Sequence, residues 1–347
     1  MTATPRIDLS VIICCFNSAT RLTPTLQHLL TQRLDDPIRW EVIVVDNGST
    51  DTTVEIARAS WPLGHRVPLT IVPEPIPGLS HARRAGIRAA RGAVVSFVDD
   101  DNWVCEDWIR RLSDLFASHP EIGACGGKGV AVFEESEPPW FGHYQNAFAV
   151  GPQGPGPGYV PETRGYLCGA GLSVRRDALS ALYDADFQQL NTGRVGKSLI
   201  AGEDVEMCLA LRLAGWQLYY DPALVYRHYM PSGRMKWSYL RQLQFAHGVA
   251  EAKLDHYRSV LRDPGIRNRK KSQRLQAARE CYWAALRVLR SGWRSVLRGS
   301  SAPGGDTPNL LFLLGSFWGA LKSLPHFSRD RERILALADR LQAKSGR

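Results

Sequence analysis

Residues 93–102 read AVVSFVDDDN, a short apolar run interrupted only by Ser96 that stops on Asp99, Asp100 and Asp101. An apolar run of this length, closed by a polar cluster, predicts a strand buried on both faces, the kind found in parallel sheets. Upstream, Leu9–Cys15, Trp40–Val45 and Leu69–Val72 have the same character. The stretches between and after them have helical spacing: Thr23–Gln32 with Leu26, Leu29 and Leu30, then Thr52–Ala59, Ser80–Ala90 and Trp108–Ser118. Strands alternating with helices predict βαβ units, and hence an α/β fold built on a mostly parallel sheet with flanking helices. In such sheets ligands bind at the carboxyl ends of the strands. Three of those ends are polar here: Cys15–Asn17, Asp46–Ser49 and Asp99–Asn102.

The middle of the chain changes character. Gly151–Gly158, GPQGPGPG, reads as a loop. Tyr166–Val174 reads as a strand, Asp204–Ala214 as a helix ended by Gly215, and Gln217–Tyr220 and Leu224–Tyr226 as two short strands around Asp221-Pro222. The last third reads as mostly helical. Arg279, Arg287, Arg290, Arg294 and Arg298 fall on or near one helical stripe beside Trp283, Leu286, Leu289, Trp293 and Val296. Asn309–Leu324 is strongly apolar over 16 residues. A bilayer span needs about 20 apolar residues, so this segment reads as an interfacial or core helix.

The 347 residues carry 43 Lys+Arg against 34 Asp+Glu, a net of +9. With 44% hydrophobic and 22% charged residues, a disordered or collagenous chain is excluded. The charge is uneven. Residues 1–230 hold 20 basic and 26 acidic side chains, and residues 231–347 hold 23 and 8. A basic C-terminal third beside Trp and Leu fits an anionic membrane surface better than a nucleic-acid groove, so no nucleic-acid partner is expected. The expected division is a catalytic domain over 1–235 and a basic helical region over 236–347. Seven scattered cysteines without a CxxC read as reduced, buried thiols of a cytoplasmic protein. The opening MTATPRIDLSVIICCFN lacks a basic n-region and reads as a buried strand rather than a signal peptide.

Three clusters could carry chemistry. Asp99, Asp100 and Asp101 repel one another unless a cation or hydrogen-bond donors compensate them, and a hard divalent ion would do so. The bland reading is a solvated turn. Glu203-Asp204 opens a helix, where acidic side chains are favoured in any case, yet a carboxylate there could also serve as general base on a hydroxyl. His228 lies in a non-helical turn before Arg234 and could be a late metal ligand, with Arg234 holding phosphate oxygens.

Taken together, SVIICCFN, EVIVVDNGSTD, GLSHARRAGIRAARGAVVSFVDDDN, GAGLSVRRDAL, GEDVEMCLALRLAGW and YDPALVYRH resemble glycosyltransferase family 2 in order over roughly residues 8–240. The resemblance implies a GT-A-type fold and a non-processive, inverting transferase using a nucleotide-diphosphate sugar and Mn²⁺ or Mg²⁺. It implies that Phe16, Asn17, Asp46 and Asp99 bind the donor, and Arg83, Asp100 and Arg234 are expected to bind it as well. Asp99 and Asp101 match the outer positions of the DxD motif, and with His228 would hold the metal. Asp204 matches the general base, with Glu203 beside it. The chain departs from the family pattern at Cys14 and Cys15, where Pro and Thr are common, and at Arg84, where Asn is common. The QxxRW-type motif of processive synthases is absent. The implied setting is surface or extracellular polysaccharide synthesis on a glycan or lipid-linked acceptor, in the cytoplasm or peripherally on the inner membrane face. A dehydrogenase would show GxGxxG after its first strand, and NSATRL has none. The remaining alternatives are a nucleotidyltransferase-like enzyme and a non-catalytic membrane-associated binding protein.

Overall fold

The computed structural model describes residues 7–34, 38–191, 193, 199–263 and 307–345, with 281, 285–286 and 288–289. The stripe arginines at 279, 287, 290, 294 and 298, with Trp283, Trp293 and Val296, lie outside the described residues. By internal contacts the chain falls into two units interleaved in sequence. The first is Met1–Val132, Ala149–Ala181 and Gly215–Tyr229; the second is Phe133–Phe148, Leu182–Ala214 and Met230–Arg347.

The first unit opens as the alternation predicts: β1 (Leu9–Cys15), α1 (Leu22–Leu30), β2 (Trp40–Asp46), α2 (Thr53–Ala59), β3 (Leu69–Pro73), α3 (Leu79–Ala89) and β4 (Val94–Phe97). Strand β1 pairs in parallel with β2 and β4, and β2 pairs in parallel with β3. Val11, Ile13, Val42 and Val44 are fully buried, and the buried face of α1, Leu22, Leu26 and Leu29, joins the same core. Burying one such side chain stabilises the fold by about 1.5–3 kcal/mol. The core therefore fixes where each strand ends, and so where the polar clusters stand.

Beyond β4 the sheet turns antiparallel. The chain continues through β5 (Asn102–Val104), α4 (Trp108–Ser118), β6 (Ile122–Phe133), α5 (Phe141–Tyr144), β7 (Gly158–Tyr159), β8 (Ser173–Arg175), α6 (Arg176–Asp184), α7 (Glu203–Leu213) and β9 (Gln217–Met230). The strand order is β3-β2-β1-β4-β8-β6-β9-β5, with β7 on β9. The parallel part expected from the sequence is thus half of a mixed sheet. The segment expected as a strand over Tyr166–Val174 is extended in the sheet only at Ser173–Arg175. The two short strands around Asp221-Pro222 are one long strand. The GPQGPGPG loop ends in β7, and Gly151 bridges to Gly129.

The second unit is helical. Its long helix α8 (Trp237–Arg262) packs against Thr307–Ser323, and Phe327–Ser345 also contacts α8. Among the described residues no helix is long and apolar enough to cross a membrane. All seven cysteines are free thiols. Burial pushes the Cys14 thiol up to about 12 and raises Cys15 too, so both are inert packing groups.

Candidate functional site

In the first unit the Asp99–Asn102 turn closes through the Asn102 amide, which donates to the Asp99 carbonyl at 3.0 Å. The three carboxylates then diverge. Asp100 is buried and turned into the protein, where it accepts hydrogen bonds from the Ser18 hydroxyl and from Arg21 at 2.8 Å. The Thr25 hydroxyl donates to the Asp100 carbonyl at 2.9 Å. Burial and the neighbouring Asp101 push Asp100 up to about 6, against the pull of Arg21. Asp100 therefore ties the β1–α1 loop to the turn. Arg21, which supplies half of that tie, carried no signal in the sequence.

Asp101 is 3% exposed and is aimed differently. Its carbonyl accepts the Tyr229 amide at 2.9 Å, and its Oδ1 lies 3.4 Å from Nε2 of His228, itself largely buried. Register produces this meeting: β5 runs antiparallel to β9 with Asn102 opposite His228. Among the described residues no three His, Cys, Asp or Glu side chains are gathered as a ready metal cage. Of the expected ligands, Asp101 and His228 are brought together; Asp99 is half-buried near Cys14, whose thiol it helps to raise.

The neighbouring strand ends are clasped. Asn17 sits at φ 50°, its amide donates to Ser49 Oγ at 3.0 Å, and its Oδ1 accepts the Thr50 amide at 2.8 Å. The Ser49 amide donates to Asp46 Oδ1 at 3.1 Å. Phe16, next to Asn17 in the chain, leaves 54% of its surface exposed. Arg83 is buried on α3 with its guanidinium 5.2 Å from the centre of the Phe97 ring.

The second unit holds Glu203, Asp204 and Arg234. Gly202 precedes α7 at φ 117°, a backbone conformation that favours glycine. Glu203, Asp204 and Glu206 all fall in the first turn of α7, where the helix dipole favours negative charge. Glu203 is buried and its carbonyl accepts the Gln189 side chain at 2.9 Å. Asp204 stays half-buried, its Oδ1 accepting the Val205 amide at 2.8 Å. Arg234 stands on the turn Ser232–Met235.

Glu206, in sequence one more acid in the first turn of a helix, organises this region. It is fully buried and accepts the Leu190 amide at 2.6 Å, the Asn191 amide at 3.0 Å and the Tyr257 hydroxyl at 2.8 Å. Burial raises it to about 7, opposed by those donors and by Lys253. Between pH 4.5 and about 7 the native state keeps a proton that the unfolded chain releases, so this group's contribution to stability falls as pH rises through that window. Glu206→Gln turns an amide NH₂ toward a backbone donor and is expected to cost about 1–3 kcal/mol. Urea unfolding should show the gap between wild type and variant widest near pH 5 and shrinking toward pH 8. A gap independent of pH would contradict this assignment.

With the fold and these residues in place, comparison with known proteins is decisive at the level of family. Residues 10–182 match the family model described as Glycosyl transferase family 2. The chain belongs to glycosyltransferase family 2. The succinoglycan biosynthesis protein ExoM of Rhizobium meliloti is 28% identical over 257 residues, covering 72% of this chain and 75% of ExoM. Glycosyltransferase GlyA of Streptococcus pneumoniae is 30% identical over 135 residues, 39% of this chain. The chain spans only 18% of GlyA, and 35% of EpsH from Bacillus subtilis. Among solved structures, the mannosyltransferase PcManGT from Pyrobaculum calidifontis, in complex with GDP-Man and Mn²⁺, superposes with a TM-score of 0.53 at 19% identity. It covers 97% of this chain and 88% of its own, which establishes the GT-A-like fold.

Proposed function

We propose that this chain transfers a sugar, with inversion, from a nucleotide-diphosphate donor to a hydroxyl of a glycan or lipid-linked acceptor during surface or extracellular polysaccharide synthesis, with Mn²⁺ or Mg²⁺ bound. The observation that carries the reading is the buried Asp101–His228 pair at 3.4 Å, beside the carboxyl end of β4. Carboxylate oxygen plus imidazole nitrogen suits a divalent ion that takes its other ligands from diphosphate oxygens and water. Asp101 and His228 would hold that ion, with Asp99 at the same turn. When bound it offsets charge on the departing diphosphate. The name of ExoM and the GDP-Man and Mn²⁺ in the PcManGT complex support this choice of chemistry.

The chain's own groups divide the remaining work. Phe16 offers an exposed ring for the nucleoside, with Asn17 and Asp46 fixed beside it to accept hydrogen bonds from base or ribose. Arg83 and Arg234 supply cationic forks for phosphate oxygens. Asp100, already engaged with Ser18 and Arg21, serves donor binding by fixing the turn. Asp204 takes the proton from the acceptor hydroxyl as it attacks the anomeric carbon, and Glu203 sets the charge beside it. A single displacement needs no enzyme nucleophile. The work is assigned to the inner membrane face, where a lipid-linked acceptor would lie.

A thermal-midpoint screen of nucleoside diphosphates with Mn²⁺ or EDTA tests the donor half. A ligand at 100 times its Kd adds about 2.7 kcal/mol to the native state, so one base should raise the midpoint by a few degrees with Mn²⁺ and far less with EDTA. No shift with any base, or a shift indifferent to EDTA, would count against the reading.

A further inference from the structure

We propose that the surface formed by α8 and the helix Thr307–Ser323 seats the protein on an anionic lipid bilayer. The observation is an inverted burial pattern. A helix of a water-soluble unit buries its large apolar side chains and exposes small or polar ones. In Thr307–Ser323 none of the Leu, Phe or Trp side chains is buried, whereas Gly315 and Gly319 are. These glycines and Gly248 of α8 are what the two helices press together. A Cβ on Gly248 would lie 2.0 Å from the Phe312 carbonyl oxygen, one on Gly315 2.1 Å from that of Phe245, and one on Gly319 2.5 Å from that of Val249. Close backbone contact through small residues turns the bulky groups outward. Trp318 is 47% exposed, Leu324 40%, and Leu321 and Phe245 36% each. Trp318, Leu321 and Leu324 follow one another at three-residue spacing.

Charge selects the occupant. Residues 231–347 carry 23 basic against 8 acidic side chains. Lys322 sits over the Trp318 ring at 5.2 Å, an apolar stem and aromatic face with a cation at the level where lipid headgroups would lie. Arg241, one turn before Phe245, and Arg329 are also exposed. A second copy of the chain would bring the same sign of charge to this face, whereas an anionic bilayer brings the opposite one. Since no described helix is long and apolar enough to cross, the helix pair lies on the membrane rather than through it.

The proposal does not rest on the transfer reaction, and its test needs no sugar donor. The full chain is floated with vesicles of phosphatidylcholine alone or mixed with phosphatidylglycerol. Binding is expected to the mixed vesicles, to weaken with salt, and to fall at least about tenfold in a Trp318→Glu/Leu321→Glu variant. Unchanged circular dichroism and an unchanged nucleotide-induced midpoint shift would show that the variant is folded, and Lys322→Ala should weaken binding to the mixed vesicles only. Wild type that stays with no vesicle, or a folded double variant that floats like wild type, would overturn the proposal. So would a wild-type dimer in vesicle-free solution that the double substitution dissociates, since that identifies a second copy as the occupant.

Discussion

Asp101→Ala is expected to lower kcat/KM by on the order of 10²–10³-fold, the usual cost of removing a group that stabilises charge developing in the transition state. Mn²⁺ binding, read by electron paramagnetic resonance in the presence of nucleoside diphosphate, should weaken in parallel. Stability should not fall with it. Asp101 is buried next to Asp100 and helps to raise it, so removing one carboxylate relieves repulsion. An unchanged or higher thermal midpoint with lost metal affinity separates a metal ligand from a residue that merely maintains the fold. Full transfer in the variant, or full activity in EDTA, would contradict the assignment.

Asp204→Asn is expected to lower kcat by about 10²–10⁴-fold, the contribution of a positioned general base. Asn keeps the shape of the side chain and an oxygen able to accept the Val205 amide, so the start of α7 should be preserved. The nucleotide-induced midpoint shift should therefore survive while transfer is lost. A variant that transfers at the wild-type rate would remove Asp204 from the chemistry; one that also loses nucleotide binding would point to a structural role.

The parallel half of the sheet was legible because its strands are mostly apolar runs, three of them closed by Asn, Asp or Ser. The antiparallel half was not. β6 contains Gly126, Gly127 and Gly129, a residue type depleted in strands, yet a Cβ on Gly127 would lie 2.0 Å from the Leu224 carbonyl oxygen. There glycine permits strands to approach rather than breaking them. Asp221-Pro222 looked like a turn inside what is one strand, β9. That continuous strand carries His228 to its place opposite Asn102. The Asp101–His228 meeting is thus a consequence of register, which residue spacing does not reveal. The second carboxylate of the triplet, Asp100, was legible as acidic but not as the partner of Ser18 and Arg21, because that pairing joins segments distant in the chain. Glu206 was overlooked for a similar reason: in sequence it is one more acid in the first turn of a helix, and only packing against Leu190, Asn191 and Tyr257 makes it a buried node.

The uneven charge now has two separate physical readings. The acidic groups of residues 1–230 include the turn that would receive a cation and a diphosphate, while the basic excess falls in the region whose apolar helix leaves Trp318 and Leu321 exposed. The first concerns transfer and the second concerns place, and each can fail without the other.

The most direct test of single-displacement transfer is the anomeric configuration of the first product, read by proton NMR with the donor that the midpoint screen identifies. An α-linked nucleotide sugar should give a β-glycoside if, as proposed, Asp204 serves as the general base for one attack on the anomeric carbon. A product that retains the α configuration would contradict the mechanism proposed for this chain.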